Sequence, residues 1–331
     1  RRLPETSSES VQYLFSQDEI EAEYAREACR LLNGRTTTPS ARQRAYHLRR
    51  HPPGSPNERG QLLADALTGS ALKESFAGSH GGRATKNRFD PPIELIRAGG
   101  PRLIGEVIHV LRSSARQLAI PPSLQDPRLS FLHKPGKPRD VIRKSVRPVG
   151  VTSHAGNAYG GVLQTWIDRD VTAAGGFSDS LFGYRMDAPA AIWAALEIVA
   201  RALACGKLVA ELLVDIQFFF CSVKYEVLAN DLSNAGASPE LHALVDLIHQ
   251  DLTYELQGHP QPGTRCHRRT YITIDEGFVE GHRGAPSCSL VVMDQRVKKI
   301  IADRARLRPD RVITVTYTDP FTGEQVTIPA N

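Results

Sequence analysis

The sequence predicts an α+β fold: an antiparallel sheet carrying Asp215 and Asp319, packed on helices, with a mixed subdomain before it. Three features predict it. Extended pieces flank a Lys-Pro-Gly-Lys-Pro turn at 134–138, an apolar run from Leu208 to Val214 ends on Asp215, and a last hairpin from Val312 to Ile328 carries Asp319 at its tip. Helical periodicity fills the intervals between these pieces.

Taken in order, residues 1–80 are rich in Ser, Thr, Pro, Gly and Arg and hold one helix, Ser16 to Leu32, opened by Ser16 or Asp18 and closed by Asn33-Gly34. Arg35 to Arg59 reads as a flexible basic linker, because Pro39, Pro52, Pro53 and Pro56 interrupt its arginines. Residues 1–80 as a whole are expected to be a basic, partly disordered extension with one helix, and the main domain to span 81–331. Pro91 to Leu118 predicts a helix pair broken at Gly99-Gly100-Pro101, with Leu103, Val107, Leu111 and Leu118 on its core face.

Strands follow at Leu129–His133 and Ser145–Val151. A helix from Asp187 to Ala204 ends at Cys205-Gly206, and Leu208 to Val214 then reads as a buried strand. Helices Lys224–Ala235 and Ser238–Leu256, alternation at Thr270–Phe278, and a helix from Ala285 to Arg304 lead to the closing hairpin.

Composition bounds the partners. The chain has 331 residues, 41% of them hydrophobic, enough for more than one packed subdomain. No apolar run is long enough to span a bilayer, since Glu211, Asp215 and Gln217 interrupt the longest, so no membrane partner is expected. The five cysteines, Cys29, Cys205, Cys221, Cys266 and Cys288, are scattered without a C-x-x-C pair, which argues for reduced thiols rather than zinc or a disulfide framework. The net charge of +5 is concentrated at Arg42–Arg50 and Lys134–Arg147, a distribution compatible with a phosphate-rich partner.

A carboxylate at the end of a buried strand is costly to leave unpaired, so Asp215 and Asp319 each need a partner. Brought side by side they would repel, and a divalent cation with oxygen ligands removes the repulsion. Such a pair suits phosphoryl displacement. Salt-bridged or capping aspartates are the other reading of the spacing alone.

The surrounding residues add a resemblance. Leu212-Leu213-Val214-Asp215-Ile216-Gln217-Phe218-Phe219-Phe220-Cys221-Ser222-Val223 resembles the first metal-binding motif of reverse transcriptases of the non-LTR retrotransposon kind. Further resemblances follow that family's order: Ala84 to Asp90 with Pro91–Ile96 looks like its opening segment, Phe131–Lys137 with Arg147-Pro148-Val149 its fingers hairpin, and Phe182-Gly183-Tyr184-Arg185 the segment before the first Asp. Gly277-Phe278-Val279-Glu280-Gly281 through Ala285-Pro286 looks like the motif that positions template and nucleotide, and Val315-Thr316-Tyr317-Thr318-Asp319-Pro320 stands at the place of the aromatic-x-Asp-Asp hairpin.

What the resemblance implies is a right-hand polymerase's fingers and palm, with the thumb absent, expected to fall after Asn331. It implies RNA-directed DNA synthesis with an RNA template, a DNA primer and deoxynucleoside triphosphates, and Mg²⁺ or Mn²⁺ held by Asp215, the Ile216 carbonyl and Asp319. Nuclear action is implied by the retrotransposon likeness alone. Lys134, Lys137, Arg139 and Arg147 become triphosphate or template contacts, or else a solvated basic turn. Phe220 becomes the gate at the sugar 2′ position, or else a core aromatic. Gly281 keeps its sense, because a missing side chain lets backbone approach a base pair.

Two positions depart from the family. Glu280 stands where the family has a neutral amide, and Pro320 where it has a second Asp; proline supplies neither a side-chain ligand nor an N–H. The rival expectation is an inactive RNA-binding scaffold or a degenerate remnant.

Overall fold

The computed structural model describes residues 18–19, 22, 24–26, 28, 56–79, 81–82, 85–86, 90–137, 145–178, 188–206, 216, 219–249, 252–260, 267–274, 277–278, 281–307, 313–318 and 325–330. Its described elements make a mixed α+β fold: a four-stranded sheet, a separate two-stranded sheet and many helices.

Helices α1 (Pro56–Ala66) and α2 (Gly69–Ala77) lie within the stretch read from sequence as an extension with one helix. Thr68 caps α2, its Oγ1 accepting the Ala71 N–H at 3.2 Å. Leu63 of α1, Leu72 and Phe76 of α2, and Leu67 between them are all buried in the main core. The Arg59 guanidinium pairs with Asp246, so packing continues across residue 80. The proline-rich composition hid this, because it counts breakers without weighing the apolar spacing Leu63-x-x-x-Leu67 that follows them.

Helices α3 (Ile93–Ala98) and α4 (Gly100–Arg116) divide where Gly99-Gly100-Pro101 predicts. The buried face of α4 is Ile108, Leu111, Ser114 and Ala115; Leu103, expected inward, is 37% exposed. After the short α5 (Pro122–Gln125) come β1 (Arg128–His133) and β2 (Val146–Val151), the expected hairpin. Helix α6 (Ala158–Ala173) runs through the middle of the main core, burying Tyr159, Leu163, Trp166 and Ile167. The Tyr159 hydroxyl donates to the Leu111 carbonyl at 2.5 Å, tying α6 to α4. Helices α7 (Ala188–Ala204), α8 (Phe219–Ser222), α9 (Tyr225–Asn234) and α10 (Pro239–His249) follow.

One expected helix is shorter than its pattern. It was read to Leu256, but α10 ends at His249 and β3 spans Thr253–Pro260. Leu252, Tyr254 and Leu256 are buried at every second position, a strand's period, and β3 gains partners on both edges that a longer helix would lose. Strand β4 (His267–Thr273) pairs with it, α11 (Ala285–Leu307) follows, and β5 (Ile313–Thr318) and β6 (Gln325–Ala330) form the expected antiparallel hairpin.

The larger sheet has the order β2-β1-β3-β4. Its outer pairs are antiparallel, but β1 and β3 run parallel, so the described four-stranded sheet is mixed rather than antiparallel. The reason is connectivity: a short turn forces antiparallel pairing, whereas the long helical passage from β2 to β3 lets the chain return in the direction of β1. The strand expected at 208–214 lies outside the described residues.

Register gives this sheet two unlike faces. One carries Leu129, Val146, Tyr254, Leu256 and Ile272, all buried; Tyr24, Ala25 and Ala28, helical residues near the N-terminus, cluster with Leu129, Tyr254, Leu256 and Ile272. The Tyr24 and Phe131 ring centroids are 4.8 Å apart. The other face carries Arg128, Ser130 and Leu132 on β1, Arg147, Val149 and Val151 on β2, Thr253 and Glu255 on β3, and Tyr271 on β4.

Candidate functional site

The described residues bring three of the sequence motifs together. Segment 219–223, the last residues of the stretch Leu212–Val223, meets segment 277–278 through backbone hydrogen bonds: Gly277 N–H donates to the Val223 carbonyl at 2.7 Å and Phe278 N–H to the Phe220 carbonyl at 2.5 Å. Gly277 has φ +94°, and a Cβ there would stand 2.7 Å from Cys221 Cα. A side chain is excluded both by conformation and by space.

Four residues on, Gly281 has φ +107° and lies against β2, where an added Cβ would stand 2.3 Å from the Gly150 carbonyl oxygen. The close neighbour of Gly281 within the chain is β2, at Gly150 and Val149. Arg283 holds the far side of this loop, its N–H donating to Asn157 Oδ1 at 2.9 Å and its Nη1 to the Ser75 carbonyl at 2.8 Å. These bonds fasten the loop to α6 and α2.

His282, between them, is buried. Burial and then the nearby His249 push its pKa down to about 3, so the imidazole is neutral near pH 7. The Gly284 N–H donates to its Nδ1 at 3.3 Å.

The predicted cations spread along one hairpin. Lys134 and Lys137 occupy its turn, where Lys134 N–H donates to the Ser145 carbonyl at 2.6 Å and Lys137 N–H to the Lys134 carbonyl at 3.3 Å. Lys134 is half-buried and Lys137 exposed. Arg147, exposed on β2, faces Leu132 across the ladder. Arg139 lies outside the described residues.

Phe220 is half-buried on α8, packed against the main core and edge-to-face with Phe219 at 6.1 Å between centroids. Ile216 is 47% exposed. Asp215 and Asp319 lie outside the described residues, as do Glu280, Pro320 and the segment Phe182–Arg185. Among the described residues there is no group of three or more His, Cys, Asp or Glu arranged to hold a metal ion.

Sequence reading missed the way Asp90 is used. Its Oδ1 accepts Ser153 Oγ at 2.9 Å, and its Oδ2 accepts the backbone N–H of Lys86 at 3.1 Å and of His154 at 3.4 Å. Lys86 is 3% exposed, and its Nζ donates to the Pro122 and Ser123 carbonyls. The hydroxyl donates to the carboxylate and His154 offers backbone, so this grouping is a brace joining the opening segment to the start of α6 and not a nucleophile with its base. Only Asp90-Pro91, with its turn-forming character, hinted at it.

Also missed was the polar face of the four-stranded sheet. Tyr271 is 59% exposed and Leu132 55% exposed there. The alternation in β1 was legible, but which strands lie beside it was not.

No helix among the described residues is long and apolar enough to cross a membrane. In comparisons with known proteins, no protein-family model and no curated protein matches the chain. The class that fold and site define is a mixed α+β protein in which an exposed basic hairpin is joined to a glycine-bearing loop.

Proposed function

We propose that this chain is the fingers and palm of an RNA-directed DNA polymerase of the non-LTR retrotransposon type. The observation that carries the reading is the meeting of segments far apart in sequence: β2, segment 219–223 and the loop 277–286, three of the regions whose motifs resemble that family in order. In this reading, RNA template and DNA primer lie between the basic hairpin and the loop, held mainly through phosphates.

The primer 3′-hydroxyl attacks the α-phosphate of a deoxynucleoside triphosphate, and pyrophosphate leaves as the bond to the β-phosphate breaks. Asp215, Asp319 and the Ile216 carbonyl would hold Mg²⁺ or Mn²⁺. Their all-oxygen donor set fits either ion, and Ile216 lies at the surface where substrate can reach it. The ions supply charge neutralisation at the transferring phosphate. Lys134, Lys137, Arg139 and Arg147 meet the phosphates, Phe220 borders the sugar, and Gly281 allows backbone to approach the base pair.

Pro320 and Glu280 favour a second reading, a palm that binds RNA without catalysis. Mg²⁺-dependent primer extension on an RNA template separates the two, comparing the native chain, Asp215→Ala and Pro320→Asp. Extension abolished by Asp215→Ala supports the polymerase. Extension seen only with Pro320→Asp means a palm disabled at one ligand, and silence from all three leaves the scaffold.

A further inference from the structure

The polar face of the four-stranded sheet is unlike an ordinary solvated face. The register aligns Val151, Arg128, Glu255 and Tyr271 in one row across the strands, and Leu132 with Arg147 in another. Among the described side chains, Arg128 and Arg147 therefore stand on this face with one carboxylate, Glu255. Tyr271 and Leu132 expose apolar surface beside them, and Arg147 is also exposed. Strands lie about 4.8 Å apart, so Tyr271 and Arg128 are separated by roughly 10 Å.

We propose that single-stranded RNA lies across this face, with one base stacked on Tyr271 and phosphates met by Arg128 and Arg147. A phenol ring is a stacking platform for any base, and guanidinium groups pair with phosphate oxygens in a planar, two-pronged way. An acidic peptide would satisfy the arginines but leaves the exposed aromatic without a use. The face adjoins the candidate site, because Val149 lies on it and touches the position a Gly281 side chain would occupy, 3.4 Å from its Cγ1. Calling the bound strand a template rests on the polymerase reading; its binding does not.

The test is fluorescence anisotropy with a labelled oligouridylate of about a dozen nucleotides, without divalent metal, on the full chain over a range of KCl concentrations. Tyr271→Ala should raise Kd about tenfold or more while Tyr271→Phe stays within about twofold, because phenylalanine keeps the stacking face. Arg128→Gln should lower the slope of log Kd against log salt by about one. Circular dichroism and Tm of each variant report that the fold is kept.

Absence of RNA binding by the native chain would overturn the proposal, as would native-like binding by Tyr271→Ala. Equal displacement by an acidic peptide that ignores Tyr271→Ala would assign the face to protein and overturn it as well. Primer extension reads the polymerase separately: extension with an unchanged Tyr271→Ala affinity removes the sheet face alone. Tyr271-dependent binding without extension removes catalysis alone.

Discussion

Gly281 and Gly150 touch through backbone: a methyl group on Gly281 would stand 2.3 Å from the Gly150 carbonyl oxygen, inside any permitted contact. Replacing Gly281 with alanine therefore has two costs, a left-handed backbone for a residue with a Cβ and a collision with a strand that cannot yield easily. Gly281→Ala is expected to lose about 2–4 kcal/mol of stability, measured by urea denaturation. A loss below about 0.5 kcal/mol would mean that the loop does not sit on β2.

Asp294 is completely buried on α11 and does two jobs there. Its Oδ1 accepts the Ser178 N–H at 2.6 Å, and its Oδ2 pairs with Lys298 Nζ at 2.8 Å, which also donates to the Gly176 carbonyl at 3.2 Å. Asp294→Ala takes the carboxylate acceptor from the half-buried Ser178 N–H and from Lys298, which keeps the Gly176 carbonyl, an expected cost of about 2 kcal/mol. Lys298→Ala should cost less, because that side chain is 44% exposed. Chemical denaturation of the two variants should rank them in that order.

His282 makes stability depend on acidity. Its folded pKa, about 3, lies below the ordinary 6.5, so between those values the unfolded chain binds a proton that the folded chain refuses. The contribution is full above pH 6.5 and is lost as pH falls toward 3, at up to ~1.4 kcal/mol per pH unit. Denaturation at pH 7 and pH 5 should show a shallower decline for His282→Gln than for the native chain; equal declines would place His282 in water.

The thiols should separate by burial. Cys288 is fully buried and its pKa is pushed up to about 12 by desolvation, whereas Cys205 is exposed. Thiolate is the reactive form, so mild alkylation of the folded chain near pH 8 should label Cys205 and spare Cys288. Peptide mass mapping reads the outcome, and labelling of Cys288 without prior unfolding would contradict the packing of α11.

Much of the local structure was legible in the sequence because it is written in local terms. Apolar spacing and glycine or proline stops placed α3, α4, α9 and both hairpins near their observed limits, and charge density marked Lys134, Lys137 and Arg147 as a basic turn and strand. The family resemblance likewise rested on short strings of residues. Where two tendencies competed, the pattern misled: residues 250–256 could continue a helix, and only neighbours on both edges made 253–256 a strand.

Tertiary structure alone decided which distant pieces meet. The parallel pairing of β1 with β3, the seat of Gly281 on β2 and the row that sets Tyr271 across from Arg128 all join residues more than a hundred positions apart, or depend on strands that are. Strand order depends on the total burial available to the whole chain, a quantity no local window contains. By itself, then, the sequence determined the elements and the chemistry they carry. Packing determined that an aromatic, two arginines and a glycine loop share one neighbourhood, because only the assembled sheet shows which faces are left to water.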